Sequence, residues 1–200
     1  MKNILLVLTI ASLMVCCDKD NYIDSGIHEQ KHDCTVWEYF HTDRANWDSL
    51  IVMIEHAGMI KYFDGTNKDE ITILAPTNHS INQYLFQTLD DNGERLHEKV
   101  TDIPADECRE MLLSYMIHGK KFLEDFDHEV KGTQTGGTME QALSGIHLRV
   151  YRITSSFYDI PDLGAEKLAF QAPDGYIGTV ASCNIEMNNG VVHSLDATCM

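Results

Sequence analysis

Basic residues are scarce in this chain: 15 Lys and Arg stand against 31 Asp and Glu in 200 residues, a formal charge of −16. A chain this acidic repels nucleic acid and anionic lipid, because binding to either rests on neutralising phosphates with Lys and Arg. No apolar run is long enough to span a bilayer core of ~30 Å. The C-x-x-C spacing of a zinc ribbon or redox pair is missing from the six cysteines. No Gly-x-Ser-x-Gly elbow sets up a nucleophilic serine. No Gly-rich loop follows a strand to cradle phosphate, and Gly136-Gly137 is a turn signal instead. Internal repeats and low-complexity blocks are absent too. What remains is a composition ordinary for a globular protein and a length that fits one domain with a proper core.

The first residues carry a targeting pattern. Lys2 precedes an apolar run from Ile4 to Val15, then come Cys16-Cys17 and the polar string Asp18-Lys-Asp-Asn21. A short apolar run behind a single positive charge reads as a secretory signal peptide. A cysteine at the cleavage point resembles a bacterial lipobox, in which the thiol is acylated after cleavage. Cys17 is the expected acceptor because it leaves the acidic segment directly behind the lipid; Cys16 is the alternative. Acidic residues just after the acylated cysteine resemble the surface-export signal of Bacteroidetes lipoproteins. The expected organisation is a signal peptide over 1–16, a lipidated cysteine and acidic tether over 17–33, and a globular domain over 34–200. The exported compartment permits disulfides, and the pairing of Cys34 and Cys108 stays open.

In the globular part, Val36, Trp37 and Phe40 share a helical face. Trp47, Leu50, Ile51, Ile54 and Ala57 follow at three- and four-residue spacing, which predicts an amphipathic helix, and Gly58 supplies its stop. Ile71-Thr-Ile-Leu74 is a short β-branched strand halted at Pro76, which has no N–H to give. Thr77 or Asn78 then caps a helix with Ile81, Tyr84, Leu85 and Leu89 on its buried stripe. Asp102-Ile-Pro104 opens a further helix with Leu112, Leu113, Met116 and Ile117 as its apolar face. Residues 154–175 read as one long surface loop, and such loops are uncommon without function or disorder. This loop is the preferred place for a specific contact. Near the end, Ala181, Cys183, Ile185 and Met187 alternate with polar neighbours, Asn189-Gly190 supplies the positive φ of a tight hairpin turn, and Val191, His193 and Leu195 share one face. Folded this way, Cys183 lands opposite Leu195 and Cys199 opposite Thr179. The two cysteines are then ~13 Å apart, beyond the ~7 Å Cα reach of a disulfide, and are not expected to bond.

Two of these segments, Ile71-Thr-Ile-Leu-Ala-Pro-Thr-Asn78 and Asn188-Asn-Gly-Val-Val-His-Ser-Leu-Asp196, resemble the two signature segments of the fasciclin (FAS1) domain. The stretch Asn46–Ile60 resembles the family's opening helix, and Thr138–Val150 its central hairpin. The family's Tyr-His pair is here Tyr115-Met116, with His118 two residues on, and Asn184 stands where the family usually has Asp. The resemblance implies an α+β fold, a β-sandwich-like wedge with helices packed at one side. It also implies structural roles for Ala75, Pro76, Thr77, Asn78, Tyr115, Asn189, Gly190, His193 and Asp196.

The family's usual role is extracellular adhesion or recognition without catalysis. The residues agree with that expectation. His193 lies between Val191 and Leu195 and reads as a core histidine rather than a ligand. Acidic residues are plentiful, but abundance does not identify an acid–base pair. Cys34 reads as a buried inert thiol rather than a nucleophile. We therefore expect no enzyme, no metal and no cofactor. The expected protein is a lipoprotein of the cell outer membrane, exposed at the surface and held by its N-terminal lipid. Its one domain is expected to recognise a protein or glycan partner and not nucleic acid. The alternatives are a structural part of an envelope lipoprotein complex, or an acidic protein that binds a small molecule or metal ion.

Overall fold

The computed structural model describes residues 31–158 and 160–195. The signal peptide, Cys16, Cys17, Asp196, Cys199 and most of the expected tether lie outside them. Helix α1 (Val36–Thr42) begins where Thr35 and Glu38 cap each other: Thr35 Oγ1 accepts from Glu38 N at 3.2 Å, and the Glu38 carboxylate accepts from Thr35 N at 2.8 Å. Helix α2 (Arg44–His56) buries Trp47, Leu50, Ile51, Met53 and Ile54. It stops at Gly58, whose φ of +65° is costly for any residue with a Cβ. A single turn, α3 (Ile60–Phe63), brings Phe63 under the core before strand β1 (Ile71–Ala75).

Every residue of β1 is buried, so the strand is covered on both faces and sits inside the sheet rather than at its rim. Pro76 ends it, and Thr77 caps α4 (Asn78–Gln87) by accepting from Ser80 N. Leu89 was expected on this helix's buried stripe. It lies two residues past the helix end, beyond an extended Thr88, and is exposed. Helix α5 (Ala105–Ser114) starts after Pro104 and buries Cys108 and Leu112. The sequence extends its apolar face through Met116 and Ile117. The chain instead leaves the helix at Tyr115, and those two residues form β2 (Met116–His118), paired with β1.

The remaining strands are the β3 (Glu129–Val130) and β4 (Thr135–Gly136) ribbon, then β5 (Thr138–Gln141), β6 (His147–Thr154), β7 (Glu166–Gln171), β8 (Ile177–Met187) and β9 (Gly190–Leu195). The main sheet has seven strands in the order β2-β1-β9-β8-β7-β6-β5. A bridge between Ile117 and Ala142 joins the region of one edge to that of the other, so the sheet curls into a nearly closed wedge. The helices pack at one side: α2 against α4 and α5, and α1 against α2 and β9. The fold is α+β. No helix among the described residues is long and apolar enough to cross a membrane.

Three features of the second half depart from the sequence reading. Residues 154–175 are not one loop, because β7 lies inside them and pairs with both β6 and β8. The β8–β9 hairpin has two register shifts, between Val180 and Ser182 and between Ser182 and Ile185, so Leu195 faces Val180 rather than Cys183. Extra residues in β8 reverse the face on which side chains fall: Ile185 and Met187 are buried as the alternation requires, but Val180 is buried in place of Ala181. Finally, none of Asn188, Asn189 and Gly190 has a positive φ.

Glycine is required at 190 for a different reason. A Cβ there would lie 2.6 Å from the Ile71 carbonyl oxygen and 3.0 Å from Val36 Cγ2. Gly190→Ala is therefore expected to push β9 away from β1 and to cost about 1–3 kcal/mol, read as a lower urea midpoint in equilibrium unfolding.

Candidate functional site

The two signature segments meet in space. Strand β1 runs parallel to β9, with Ile71 facing Gly190, Leu74 facing His193 and Ala75 facing Ser194. Ala75 and Pro76 are buried at the exit of β1. Beyond them Asn78 reaches back to the first turn of α2. Its Oδ1 accepts from Ser49 N at 2.7 Å, and its Nδ2 donates to Ala45 O at 2.8 Å and to Arg44 O at 3.0 Å. Ala45 O and Ser49 N are the pair that an ideal helix joins directly, so the carboxamide sits astride one rung of α2.

At the other end of the strand pair, Asn189 plays a matching part. Its Oδ1 accepts from Val36 N, in the first turn of α1, at 2.8 Å. Its Nδ2 donates to Phe63 O, at the end of α3, also at 2.8 Å. The Asn189 carbonyl accepts from Ile71 N at 3.2 Å. Tyr115 is buried at the end of α5, where its carbonyl accepts from Leu74 N at 2.9 Å and its ring meets Phe170 edge-on. Met116 is fully buried beside it, and His118 is exposed.

His193 is completely buried. Its Nε2 pairs with Lys121 O at 2.9 Å and its Nδ1 with Asn184 N at 3.3 Å. A carbonyl can only accept and an amide N–H can only donate, so this is the neutral ring protonated at Nε2. Asn184 lies in the bulged part of β8 with φ +63°. Its side chain accepts from Leu123 N at 2.7 Å and donates to Glu124 at 3.2 Å. His193 and Asn184 thus fasten the loop after β2 to the centre of the sheet. Burial pulls the His193 pKa down from 6.5 to about 4, against a smaller opposing effect of the hydrogen bond to Lys121. Both ring nitrogens are committed to backbone groups, and neither is left to move a proton or hold a metal.

Cys34, Cys108 and Cys183 are free thiols. Burial pushes all three pKa values up, Cys108 to about 11, which keeps them protonated and poor nucleophiles. One histidine spacing was overlooked in the sequence: His28-Glu-Gln-Lys-His32 has the H-E-x-x-H pattern of a zinc helix. That chemistry needs both histidines on one helical face. Lys31 instead forms a parallel bridge with Glu186, and His32 N donates to Glu186 O; residues 28–30 lie outside the described part. No group of three or more His, Cys, Asp or Glu among the described residues could hold a metal ion.

The surface offers a more distinctive feature. Between β6 and β7, Ser155 N and Oγ donate to Ala165 O, and Gly164 N donates to Ser155 O, closing a loop at its base. Phe157 and Ile160 exchange both backbone hydrogen bonds at its tip. The tip side chains point outward: Tyr158 is 85% exposed, and Phe157, Ile160 and Leu163 are each more than half exposed. The Phe157 and Tyr158 rings meet edge-on with centroids 4.5 Å apart. Tyr158 and Asp162 hold positive φ, which is uncommon for such side chains, and Asp162 pairs with Lys131 from the β3–β4 ribbon.

An α+β wedge closed by a parallel pair of signature strands is the class of domain these features define. The model of the fasciclin domain matches residues 45–200, and the chain belongs to that family. Among solved structures, it is similar to one titled as a FAS1 domain pair from the insect cell adhesion molecule fasciclin I. The TM-score is 0.45 and the identity 14%, over 82% of this chain and 45% of that one. The chain thus spans less than half the length of that structure. None of the curated proteins compared with it matches.

Two outcomes follow from the clips. A histidine whose folded pKa lies below its unfolded value stabilises fully above the unfolded pKa, and loses that contribution as pH falls from 6.5 toward 4. The loss is expected to reach roughly 3 kcal/mol. It should appear in urea titrations at pH 7 and pH 4 as a steeper pH dependence for the native chain than for His193→Gln. Asn78→Ala removes three hydrogen bonds and is expected to cost about 1–2 kcal/mol, with faster amide exchange at Ser49, whose N–H donates to the carboxamide.

Proposed function

We propose that this protein is a surface-exposed lipoprotein, anchored to the outer membrane through Cys17, whose single fasciclin domain recognises a partner protein without catalysis. The leader supports the anchor: a short apolar run, cysteine at the cleavage point and acidic residues directly behind it. The observation that carries recognition is the loop between β6 and β7. Large exposed aromatic and aliphatic side chains on a loop closed by its own backbone hydrogen bonds are the sort of anchors that dominate protein interfaces. The aliphatic members, Ile160 and Leu163, favour a protein over a glycan, whose sugars stack on aromatic rings alone. The signature residues of the family contribute indirectly, by fixing the sheet that presents the loop.

Mass spectrometry of the membrane-extracted protein, paired with protease shaving of intact cells, tests the anchor: a diacyl- or triacyl-cysteine at Cys17 on shaveable material is the expected result. An unmodified soluble chain starting elsewhere would overturn it. For recognition, beads carrying the mature chain are expected to adhere to target surfaces in a protease-sensitive way. The Phe157→Ser/Tyr158→Ser variant should lose at least about tenfold of that adhesion with an unchanged melting curve. Adhesion sensitive to glycosidase instead of protease would assign a glycan, and equal adhesion by the variant would remove the loop from the reading.

A further inference from the structure

Helix α5 turns Cys108 and Leu112 into the core. Glu107, Glu110, Met111 and Ser114 recur at three- and four-residue spacing, so they stack along another face of the same helix. That face forms one wall of a groove of about 380 Å³, completed by Tyr115, Ile146 and the turn Ala172-Pro173-Asp174 between β7 and β8. The floor is apolar, built from Met111, Ile146 and the buried Tyr115, with the exposed Pro173 beside it. The rim is acidic, with Glu107 and Glu110 on the helix and Asp174 on the turn. No Lys, Arg or His lines the groove.

The rim carboxylates are also uncompensated. None of the three takes part in an ion pair among the described residues, although ten such pairs form there. Two of them are held in place: Glu107 accepts from the Tyr84 hydroxyl at 3.0 Å, and Asp174 accepts from Tyr176 N at 2.9 Å. Apolar walls lower the local dielectric and strengthen the attraction of fixed carboxylates for a cation. The volume lies within the roughly 300–1,000 Å³ of ordinary ligand sites.

From this we infer that the groove between α5 and the β7–β8 turn is a docking site for a cationic peptide segment of a partner protein, one that places an aliphatic or aromatic side chain on the floor and flanking Lys or Arg on the rim. The shape takes the apolar side chain, and charge complementarity selects its neighbours. An acidic peptide of the same shape is rejected by like-charge repulsion. The groove is separate from the aromatic loop between β6 and β7, and the inference does not depend on that loop's role.

The test uses the full mature chain and three fluorescein-labelled tripeptides: Lys-Leu-Lys, Lys-Ser-Lys and Glu-Leu-Glu. Anisotropy titrations and amide chemical-shift maps are read together. Lys-Leu-Lys is expected to saturate and to move the amides of 110–115, 146, 172 and 174. Lys-Ser-Lys should bind several-fold more weakly and Glu-Leu-Glu should not bind. Glu107→Gln/Glu110→Gln/Asp174→Asn should weaken Lys-Leu-Lys about tenfold. All three positions are exposed, so the variant should fold; the single Glu110→Lys reversal should weaken the same peptide and provides an independent reading. Equal binding of Glu-Leu-Glu, shifts confined to 155–165, or no saturable binding up to about 5 mM, a Kd beyond specific recognition, would overturn the inference.

Discussion

The parallel pairing of β1 with β9 is the constraint on which the rest of the molecule depends. It joins segments more than a hundred residues apart, with Ile71 facing Gly190 and Ala75 facing Ser194. Both strands are buried along their whole length. Each end of the pair carries an asparagine that leaves the sheet to seize helices. Asn189, where β9 begins, holds the start of α1 and the end of α3. Asn78, just past the end of β1, holds the start of α2. The helices are thus positioned on the sheet by two carboxamides as well as by apolar packing. An amide suits this task because it offers donors and an acceptor together without the cost of burying a charge.

Several polar side chains of the signature segments are spent on holding the frame. His193 spends one nitrogen on Lys121 O and the other on Asn184 N, and Thr77 is a helix cap. Side chains so committed cannot be altered for a ligand without loosening the frame. Freedom to vary falls to the surface, where the proposed recognition sites, the loop between β6 and β7 and the groove beside α5, are found. Such a division lets one scaffold serve many partners, and it explains why family membership identifies the frame without identifying what the frame holds.

The sequence was legible where local chemistry and periodicity agree. Gly58 stops α2, Pro76 ends β1, and Thr77 caps α4, each through a backbone requirement that a single residue meets. It was opaque where one pattern continues through a change of structure. Met116 and Ile117 prolong the spacing of Leu112 and Leu113, yet the chain has already left the helix and entered β2. The alternation from Ala181 to Met187 is unbroken on paper, while the bulge around Asn184 reverses the exposed face. Strand β7 was hidden because Glu166 and Lys167 look like loop and the run Leu168-Ala-Phe170 does not alternate; β7 is an interior strand, apolar on both sides. Gly190 reads in the sequence as part of a positive-φ turn, whereas its place in the fold is set by the carbonyl of Ile71 pressing against it. The bulge, the close approach and the groove beside α5 all arise from distant segments meeting, which spacing along the chain does not encode.

The sheet order has a consequence for how the chain acquires its shape. Strand β9 is the last of the described strands, yet it lies between β1 and β8. Until it is in place, β1 and β2 reach the other strands only through the bridge between Ile117 and Ala142, and the carboxamide that gathers α1 and α3 is missing. A growing chain can therefore build its helices early but cannot close its wedge until almost all of the domain is available. Such dependence on distant contacts slows folding. On the export route proposed above, in which the chain is threaded through a membrane while extended, that delay would be an advantage: the domain would stay unlocked during passage and lock only on the far side.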